Sequence, residues 1–442
     1  MTLRTRKYAV AAAALSAVTG AAFAQSAPTS SVTLYGLVDA GVVHTTGMAS
    51  NKTIFASGIM EGSRFGLRGN EDLGGGYRAL FVAESRMELN NGSVSNRPPS
   101  GTQMPDRLRD ARVVVPALCP AATPSNPATG LPTCAVQAAV SGVSASIGST
   151  LGVNLPGRFW DRQVYVGLVT PFGGILAGRQ YTPAYEINAN FDVMGTQSAL
   201  SAGQVASLPA SVDIRVSNAL QYRIAMGGLT ASVMYSLGDP AVDPANTKAN
   251  RFGGIMVMYK GGGFSVGLGH NQRKNDLGQE SLKSTLLGAS ADVGPGTVSV
   301  LGGQIKDDNP SGVSQIALLL SSPPTNAPAV VANGVQAGFK EALKQDGTLM
   351  HVGYKMPMGA NTFYVAYSAY NDKRAPNADV ASYGIAYTYA LSKRTDFNAV
   401  LVHFDNKNWA QAAPGQAGFL GGVTKSAGTD SNSFALGVRH RF

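Results

Sequence analysis

Long apolar runs, charge and cysteine are all scarce in this chain. Beyond residues 8–22, no uninterrupted apolar stretch approaches the roughly 20 residues that a transmembrane helix needs, so we expect no helical membrane anchor in the rest of the chain. Charged residues make up only 14% of the 442 residues, while glycine occurs 53 times. This composition fits an ordinary helical enzyme poorly, and it favours one large all-β unit.

The residue patterns of metal sites, phosphate sites and catalytic sites are also missing. The five histidines share no metal-ligand spacing, no two carboxylates stand out as an acid–base pair, and no glycine-rich loop opens a helix. Basic residues are scattered rather than interleaved with aromatic ones, which argues against nucleic acid as a partner. We therefore predict no metal, no cofactor and no catalytic residue.

One short motif favours an enzyme, but its context does not. Gly263-Phe-Ser-Val-Gly267 matches the serine nucleophile motif of hydrolases, which requires a strand that turns sharply into a helix. Here the alternating strand pattern continues through His270, the histidine nearest to this serine. A hydrolase built on a barrel stays as a less favoured alternative.

The first 24 residues predict export. Arg4, Arg6 and Lys7 precede the apolar run, which ends in Ala22-Phe23-Ala24, so residues 1–24 read as a secretory signal peptide that is cleaved before Gln25. Cleavage removes 3 of the 35 basic residues, which leaves 32 against 26 acidic residues and a net charge of +6. Residues 25–442 are then the mature unit.

The two cysteines lie in one long connection, residues 90–159. Cys119 and Cys134 flank a stretch rich in proline, alanine and threonine, and in an exported protein we expect a disulfide between them. The alternative is a pair of metal ligands. That reading needs further histidine or cysteine ligands nearby, and the segment supplies none.

The last ten residues, Ser433–Phe442, alternate strictly. One face carries Phe434, Leu436, Val438 and Phe442, and the other carries Ala435, Gly437, Arg439 and Arg441. In a bilayer, such a strand must belong to a closed barrel with lipid outside and a polar lumen inside. We expect Phe442 to act as the C-terminal assembly signal.

Similar windows repeat along the chain and are joined by alternating short turns and long loops. Counting them gives about 16 strands, an even number that is typical of transmembrane antiparallel β-barrels. A soluble sandwich or propeller also has alternating strands. The strand length and the alternation of loop lengths favour the membrane barrel, and we predict this all-β fold.

Several segments resemble the general porins of the Gram-negative outer membrane, especially the beta-proteobacterial type. They are Ser31–Asp39, Ser63–Gly74, Arg162–Leu168, Gly178–Tyr181, Leu391–Thr395 and Gly437–Phe442. The resemblance implies a trimeric barrel of sixteen strands whose third extracellular loop is folded inward. It also implies that the protein lies in the outer membrane, contacts lipid and lipopolysaccharide there, and binds no cofactor. Its function would be passive diffusion of small hydrophilic solutes and ions. A substrate-specific channel is the alternative.

The resemblance also implies a constriction with basic wall residues opposite an acidic loop. The wall candidates are Arg64, Arg68, Arg162 and Arg215, and the candidates in the constriction loop, residues 181–213, are Glu186 and Asp192. If Arg162 begins its strand and faces the lumen, Tyr165 has the opposite parity and is expected to face lipid. Four arginines against two acids predict a modest preference for anions. Each arginine could instead anchor lipid headgroups at the rim.

Overall fold

The computed structural model describes most of the chain from residue 30 onward. The described residues are 30–48, 51–92, 159–195, 198–206, 212–238, 248–314, 316–322, 329–414 and 422–442. The expected signal peptide and the expected Cys119–Cys134 disulfide both lie outside these residues.

Strands dominate the described residues, and seventeen of them form one antiparallel sheet. The first half comprises β1 (Ser31–Thr46), β2 (Lys52–Ser57), β3 (Arg64–Gly74), β4 (Tyr77–Arg86), β5 (Gln163–Thr170), β6 (Gly173–Tyr181), β7 (Arg215–Met226), β8 (Leu229–Ser236) and β9 (Phe252–Gly261). The second half comprises β10 (Phe264–Lys274), β11 (Glu280–Val293), β12 (Gly296–Asp307), β13 (Gln345–Met358), β14 (Asn361–Asp372), β15 (Val380–Ala390), β16 (Thr395–Asn406) and β19 (Ser431–Arg441). Two short strands, β17 (Ala412–Ala413) and β18 (Gly422–Val423), pair with each other.

The sheet closes on itself because the first and last strands pair. β1 and β19 run antiparallel, with Leu37 opposite Arg441 and Thr46 opposite Asn432. On its other edge, β1 pairs with β2 and β3, which lie end to end along it. These two strands therefore occupy one position, and the closed barrel has sixteen, as the sequence predicts.

The two faces of the wall differ as the alternation requires. On β19, Phe434, Leu436 and Val438 are exposed on the outside of the barrel, whereas Ser433 and Ala435 are buried on the inside. Many apolar side chains are also exposed on the outer face of other strands, for example Val164 and Val166 on β5. An apolar exterior of this extent matches a wall that faces lipid.

Connection length alternates between the two ends of the barrel. At one end the turns are short, and the structure places them at residues 75–76, 171–172, 227–228, 262–263, 294–295, 359–360 and 391–394. The described parts of the longer connections at the other end contain four helices: α1 (Pro183–Phe191), α2 (Ala202–Ala206), α3 (Ile316–Ser321) and α4 (Ala329–Leu343). Within the described residues, none of the helices has both the length and the apolar character needed to span a bilayer.

The connection between β6 and β7 corresponds to the predicted constriction loop, and its described residues, 182–195, 198–206 and 212–214, fold into the barrel. Its helix α1 lies on the inner faces of β9–β11, where wall glycines make room for it. A Cβ atom on Gly288 would lie 2.2 Å from the ring of Phe191, and one on Gly267 would lie 2.7 Å from Ile187. Inward folding of this loop is thus confirmed, and glycine permits its close approach.

One predicted orientation is wrong. Tyr165 was expected on the lipid side, but on β5 the exposed outer residues are Val164, Val166 and Leu168, so Tyr165 faces the interior. The error arises because β5 begins only at Gln163. Arg162 precedes the strand, and its side chain therefore does not set the alternation of the residues that follow.

Candidate functional site

Arginines and carboxylates from consecutive wall strands meet on the inner surface of the barrel. We name this set the charged belt, and its members are Glu61, Arg64, Glu84, Arg162, Tyr181, Arg215, Asp396, Arg439 and Arg441. It extends from β16 across the closing strands to β7. Three of the four wall arginines predicted from the sequence belong to it.

Glu84 connects the arginines on one half of the belt. Its carboxylate lies 2.5 Å from Nε of Arg162 and 3.6 Å from Nε of Arg64. Tyr35 also donates its hydroxyl to Glu84, at 3.2 Å. The carboxylate is almost fully buried and has three partners, which is the condition under which a buried charge is stabilised rather than costly.

Tyr181 continues the belt from Arg162 to Arg215. Its hydroxyl oxygen accepts hydrogen bonds from both guanidinium groups, at 3.0 Å and 3.2 Å. The Arg215 guanidinium also lies over the Tyr181 ring, 4.7 Å from its centroid. The phenol therefore holds two like charges close together with no carboxylate between them.

Glu61 and Asp396 connect the arginines on the other half. Asp396 lies 3.1 Å from Nε of Arg439 and 2.7 Å from Nη1 of Arg441. Glu61 lies 2.8 Å from Arg439 and 2.9 Å from Arg64, so it joins the two halves. These contacts cross the seam at which β19 meets the first strands.

The belt carries a net positive charge. Its guanidinium groups are Arg64, Arg162, Arg215, Arg439 and Arg441, and its carboxylates are Glu61, Glu84 and Asp396. Five positive charges minus three negative charges leave +2. Because arginine stays protonated at any working pH, this surplus is permanent.

The fourth predicted wall arginine lies beside the belt. Arg68 has the same inward parity as Arg64 on β3, but it is exposed, and its guanidinium lies over the ring of Tyr35, 5.2 Å from the centroid. It therefore faces the lumen nearer the short turns. Tyr35 in turn donates its hydroxyl to Glu84, and it thereby links Arg68 to the belt.

The two acids predicted on the constriction loop do not contact the belt arginines. Glu186 is buried against a different wall arginine, Arg223 of β7, at 2.7 Å. Asp192 is fully buried and accepts the backbone N–H groups of Met194 and Ala202, both at 2.9 Å. Asp192 thus organises the loop instead of lining the lumen. The carboxylates that do contact the belt arginines are Glu84 and Asp396 on wall strands and Glu61 in the connection between β2 and β3.

Asn271 of β10 clamps the root of the constriction loop. Its Nδ2 donates to Oγ1 of Thr182 at 2.9 Å and to the carbonyl oxygen of Val212 at 2.7 Å, and its Oδ1 accepts the N–H of Ala184 at 3.0 Å. One buried side chain therefore joins both ends of the loop to the wall.

We expect Asn271→Leu to lower the unfolding temperature of the barrel, since it leaves buried backbone groups without partners, at about 1–3 kcal/mol for each. Thermal unfolding followed by circular dichroism in detergent measures the change. Asn432→Leu is the matched control, because Asn432 is exposed on the outer face. Equal melting of both variants and the wild type would contradict the clamp.

Asp213 forms the second part of this root. Its backbone φ is +51°, and its carboxylate lies 2.5 Å from Nη1 of Arg273. Burial raises the pKa of the Asp213 carboxyl above its usual range, and the Arg273 guanidinium opposes the rise. The ion pair therefore fixes the strand-side end of the loop.

The described residues contain no group of three or more histidine, cysteine or acidic side chains that could hold a metal ion. Ser265 continues the regular pairing of β10 with β9 and β11. The sharp turn that a nucleophilic serine requires does not occur there.

Comparison with known proteins decides the family. The family described as Gram-negative porin matches residues 10–408. The chain belongs to the Gram-negative porins. As a porin, it is a passive diffusion channel of the outer membrane, which its strands cross many times.

Individual relatives agree with this assignment. Outer membrane porin protein 32 of Delftia acidovorans is 25% identical over 451 residues, covering 99% of this porin and 100% of the relative. The solved anion-selective porin from Comamonas acidovorans has a TM-score of 0.64 at 22% identity, with 93% of this porin and 100% of that chain covered. OmpT of Vibrio cholerae, solved in a trimer form, has a TM-score of 0.55 at 12% identity, with coverages of 94% and 100%. At these identities, the structural likenesses support the fold alone.

Proposed function

We propose that the charged belt and the constriction loop form the narrowest part of the channel and give it a weak preference for anions. The observation that carries the proposal is the surplus of two positive charges on one continuous stretch of the inner wall. A fixed positive potential attracts anions and repels cations, while hydrogen-bonding groups along the wall replace part of the hydration of the ion. A relative with the matching fold is named as anion-selective, which agrees with this proposal.

Each predicted residue has its own role within the proposed constriction. Arg64, Arg162 and Arg215 supply the positive wall, and Arg68 extends it toward the short turns. Glu186 and Asp192 act through the position of the loop: the first joins α1 to Arg223, and the second caps backbone groups. Transport involves no catalytic step and no bound cofactor, and the binding of each solute must stay weak for flux to continue.

We further propose that the porin assembles as a homotrimer and contacts lipopolysaccharide with its outer rim. A solved structural relative is described as a trimer. Purified protein in planar bilayers tests both the channel and the trimer: stepwise conductance increments in groups of three support them. Single increments with no grouping would contradict the trimer, and absence of conductance would contradict the channel.

Phe442 is proposed as the assembly signal because of how it joins the first strand. Its N–H donates to the carbonyl oxygen of Gly36 and its carbonyl oxygen accepts the N–H of Gly36, both at 3.1 Å. The Phe442 ring packs directly on Gly36, because a Cβ atom on Gly36 would lie only 2.5 Å from Cζ of Phe442. The residue thus completes the seam of the barrel.

We expect deletion of Phe442 to reduce the yield of folded barrel severalfold, since it removes both hydrogen bonds and the packing on Gly36. Heat-modifiable migration on gels measures the folded fraction. Phe172→Ala removes another aromatic side chain at the short-turn end, where Phe172 is 78% exposed, and it should leave the yield near that of the wild type. An equal loss in both variants would count against a special role for Phe442.

A further inference from the structure

Between β2 and β3, which share one position beside β1, the chain has more residues than the sheet can accommodate. Ala40 of β1 pairs with Ser57, and Leu37 of β1 pairs with Arg64. Between these pairs, β1 has two residues and its neighbour has six, residues 58–63. Four residues must therefore leave the plane of the sheet. We name this segment, Gly58–Ser63, the inward turn.

Asp39 anchors the inward turn on the luminal side. Its buried carboxylate accepts the backbone N–H groups of Ile59 at 3.0 Å, Met60 at 2.8 Å and Glu61 at 2.7 Å. Ser63 donates its hydroxyl to the carbonyl oxygen of Asp39 at 2.9 Å. Charge-assisted hydrogen bonds of this kind are among the strong ones, so they give the turn a defined position.

Apolar side chains of the inward turn also pack against the inner face of the wall, which holds the turn on the luminal side. Ile59 and Met60 are buried, and a Cβ atom on Gly437 of β19 would lie 2.7 Å from Ile59. Gly437 has the inward parity of β19, because its neighbours Leu436 and Val438 are exposed on the outside. The inward turn therefore lies over the seam of the barrel, inside the lumen.

Glu61 is the member of the inward turn that reaches the charged belt. It lies 2.9 Å from Arg64, 2.8 Å from Arg439 and 3.6 Å from Arg441, and its side chain is 20% exposed. It is thus partly open to the lumen while it touches three of the five belt arginines. Each of those arginines also has a second carboxylate partner, either Glu84 or Asp396.

We propose that Glu61 is a selectivity-determining residue, held in the lumen by the Asp39-anchored inward turn, which limits the anion preference of the channel. The inference rests on the proposed function, since it assumes that permeating ions pass the charged belt. Glu61 neutralises one of the positive charges that ions meet there. Its removal raises the net charge of the belt from +2 to +3.

The expected size of the effect follows from Coulomb's law. One elementary charge about 8 Å from a hydrated ion, in a water-filled lumen with screening by salt, changes the local concentration of that ion about 1.4-fold, and it acts in opposite directions on anions and cations. Glu61→Gln should therefore raise the ratio of anion to cation permeability about twofold. The barrel should still fold, because Arg64, Arg439 and Arg441 all keep a carboxylate partner.

The test is the reversal potential of the wild type and three variants in planar bilayers with a potassium chloride gradient. Glu61→Asp keeps the charge and should keep the wild-type ratio. Glu341→Gln makes the same chemical change on helix α4, where the side chain is 73% exposed, and it should also keep the ratio. Circular dichroism and heat-modifiable migration confirm that each variant forms a folded barrel.

Each outcome separates this inference from the proposed function. A shift toward anions in Glu61→Gln alone supports the role of Glu61. If Glu61→Gln matches the wild type, or if Glu341→Gln shifts equally, the inference is overturned even when the wild type prefers anions. A wild type that prefers cations, with Glu61→Gln shifted toward anions, overturns the proposed anion preference and keeps the role of Glu61.

Discussion

The double variant Arg215→Gln/Arg441→Gln should lose the anion preference of the channel. It removes two of the five guanidinium charges from the charged belt, so the belt falls from +2 to zero. Each charge is worth about 0.5 kcal/mol to a hydrated ion roughly 8 Å away in water, and about 0.2 kcal/mol once salt screens it over that distance. Because loss of a positive charge lowers the local anion concentration and raises the local cation concentration, the two charges together should lower the ratio of anion to cation permeability about fourfold. Reversal potentials in a salt gradient measure this ratio.

These two arginines are the cleanest pair to remove. Asp396 keeps Arg439 as a partner when Arg441 is replaced, and Arg215 contacts Tyr181 rather than a belt carboxylate. Every buried carboxylate of the belt therefore keeps a cationic partner. A buried carboxylate without such a partner would destabilise the barrel and obscure the effect on selectivity. Replacement of Arg64 and Arg162 together would leave Glu84 without a cation.

A control of equal charge comes from the short turn between β15 and β16. Lys393→Gln/Arg394→Gln also removes two positive charges, but both side chains are exposed at the end of the barrel. Solvent and salt screen such charges, so this variant should keep most of the wild-type permeability ratio. Equal shifts in both double variants would show that total charge, and not the belt, sets selectivity.

Gly288→Ala should narrow the channel. The added Cβ atom would lie only 2.2 Å from the ring of Phe191, and the nearest neighbours are atoms of that one side chain on α1. Ordinary contact needs more than 1 Å of additional separation, and β11 cannot retreat because it is paired on both sides. The helix must therefore move toward the axis, and single-channel conductance should fall by about a quarter.

Gly302→Ala is the matched control on the neighbouring strand. A Cβ atom there would meet only the carbonyl oxygen of Leu349, at 3.8 Å, which is an ordinary contact. Its conductance should equal that of the wild type. If Gly288→Ala also conducts like the wild type while remaining folded, α1 does not limit the current.

Much of the fold was predictable from the sequence because a barrel wall has only two environments. Alternation on β19 correctly separates Phe434, Leu436 and Val438 from Arg439 and Arg441. The same rule brings Arg64 to the lumen. It failed at Tyr165, where the chain enters the strand one residue later than the sequence indicated.

The partners of the arginines were less predictable because they depend on pairing between distant strands. Glu84 meets Arg162 only because β4 pairs with β5, and nothing in the local sequence distinguishes it from a solvated glutamate. The only indication in the sequence was the parity of Glu84, which lies an even number of residues from the other inward-facing residues of β4. The inward turn was harder still, since its existence follows from the registers of β2 and β3 along β1.

We propose that permeating ions cross a water-filled barrel past a belt of net positive charge. The most direct measurement is the zero-current potential of the wild-type channel across a potassium chloride gradient at neutral pH. With a net positive belt, we expect a potential whose sign corresponds to a modest excess of chloride over potassium permeability. A potential of the opposite sign, corresponding to clear potassium preference, would contradict it.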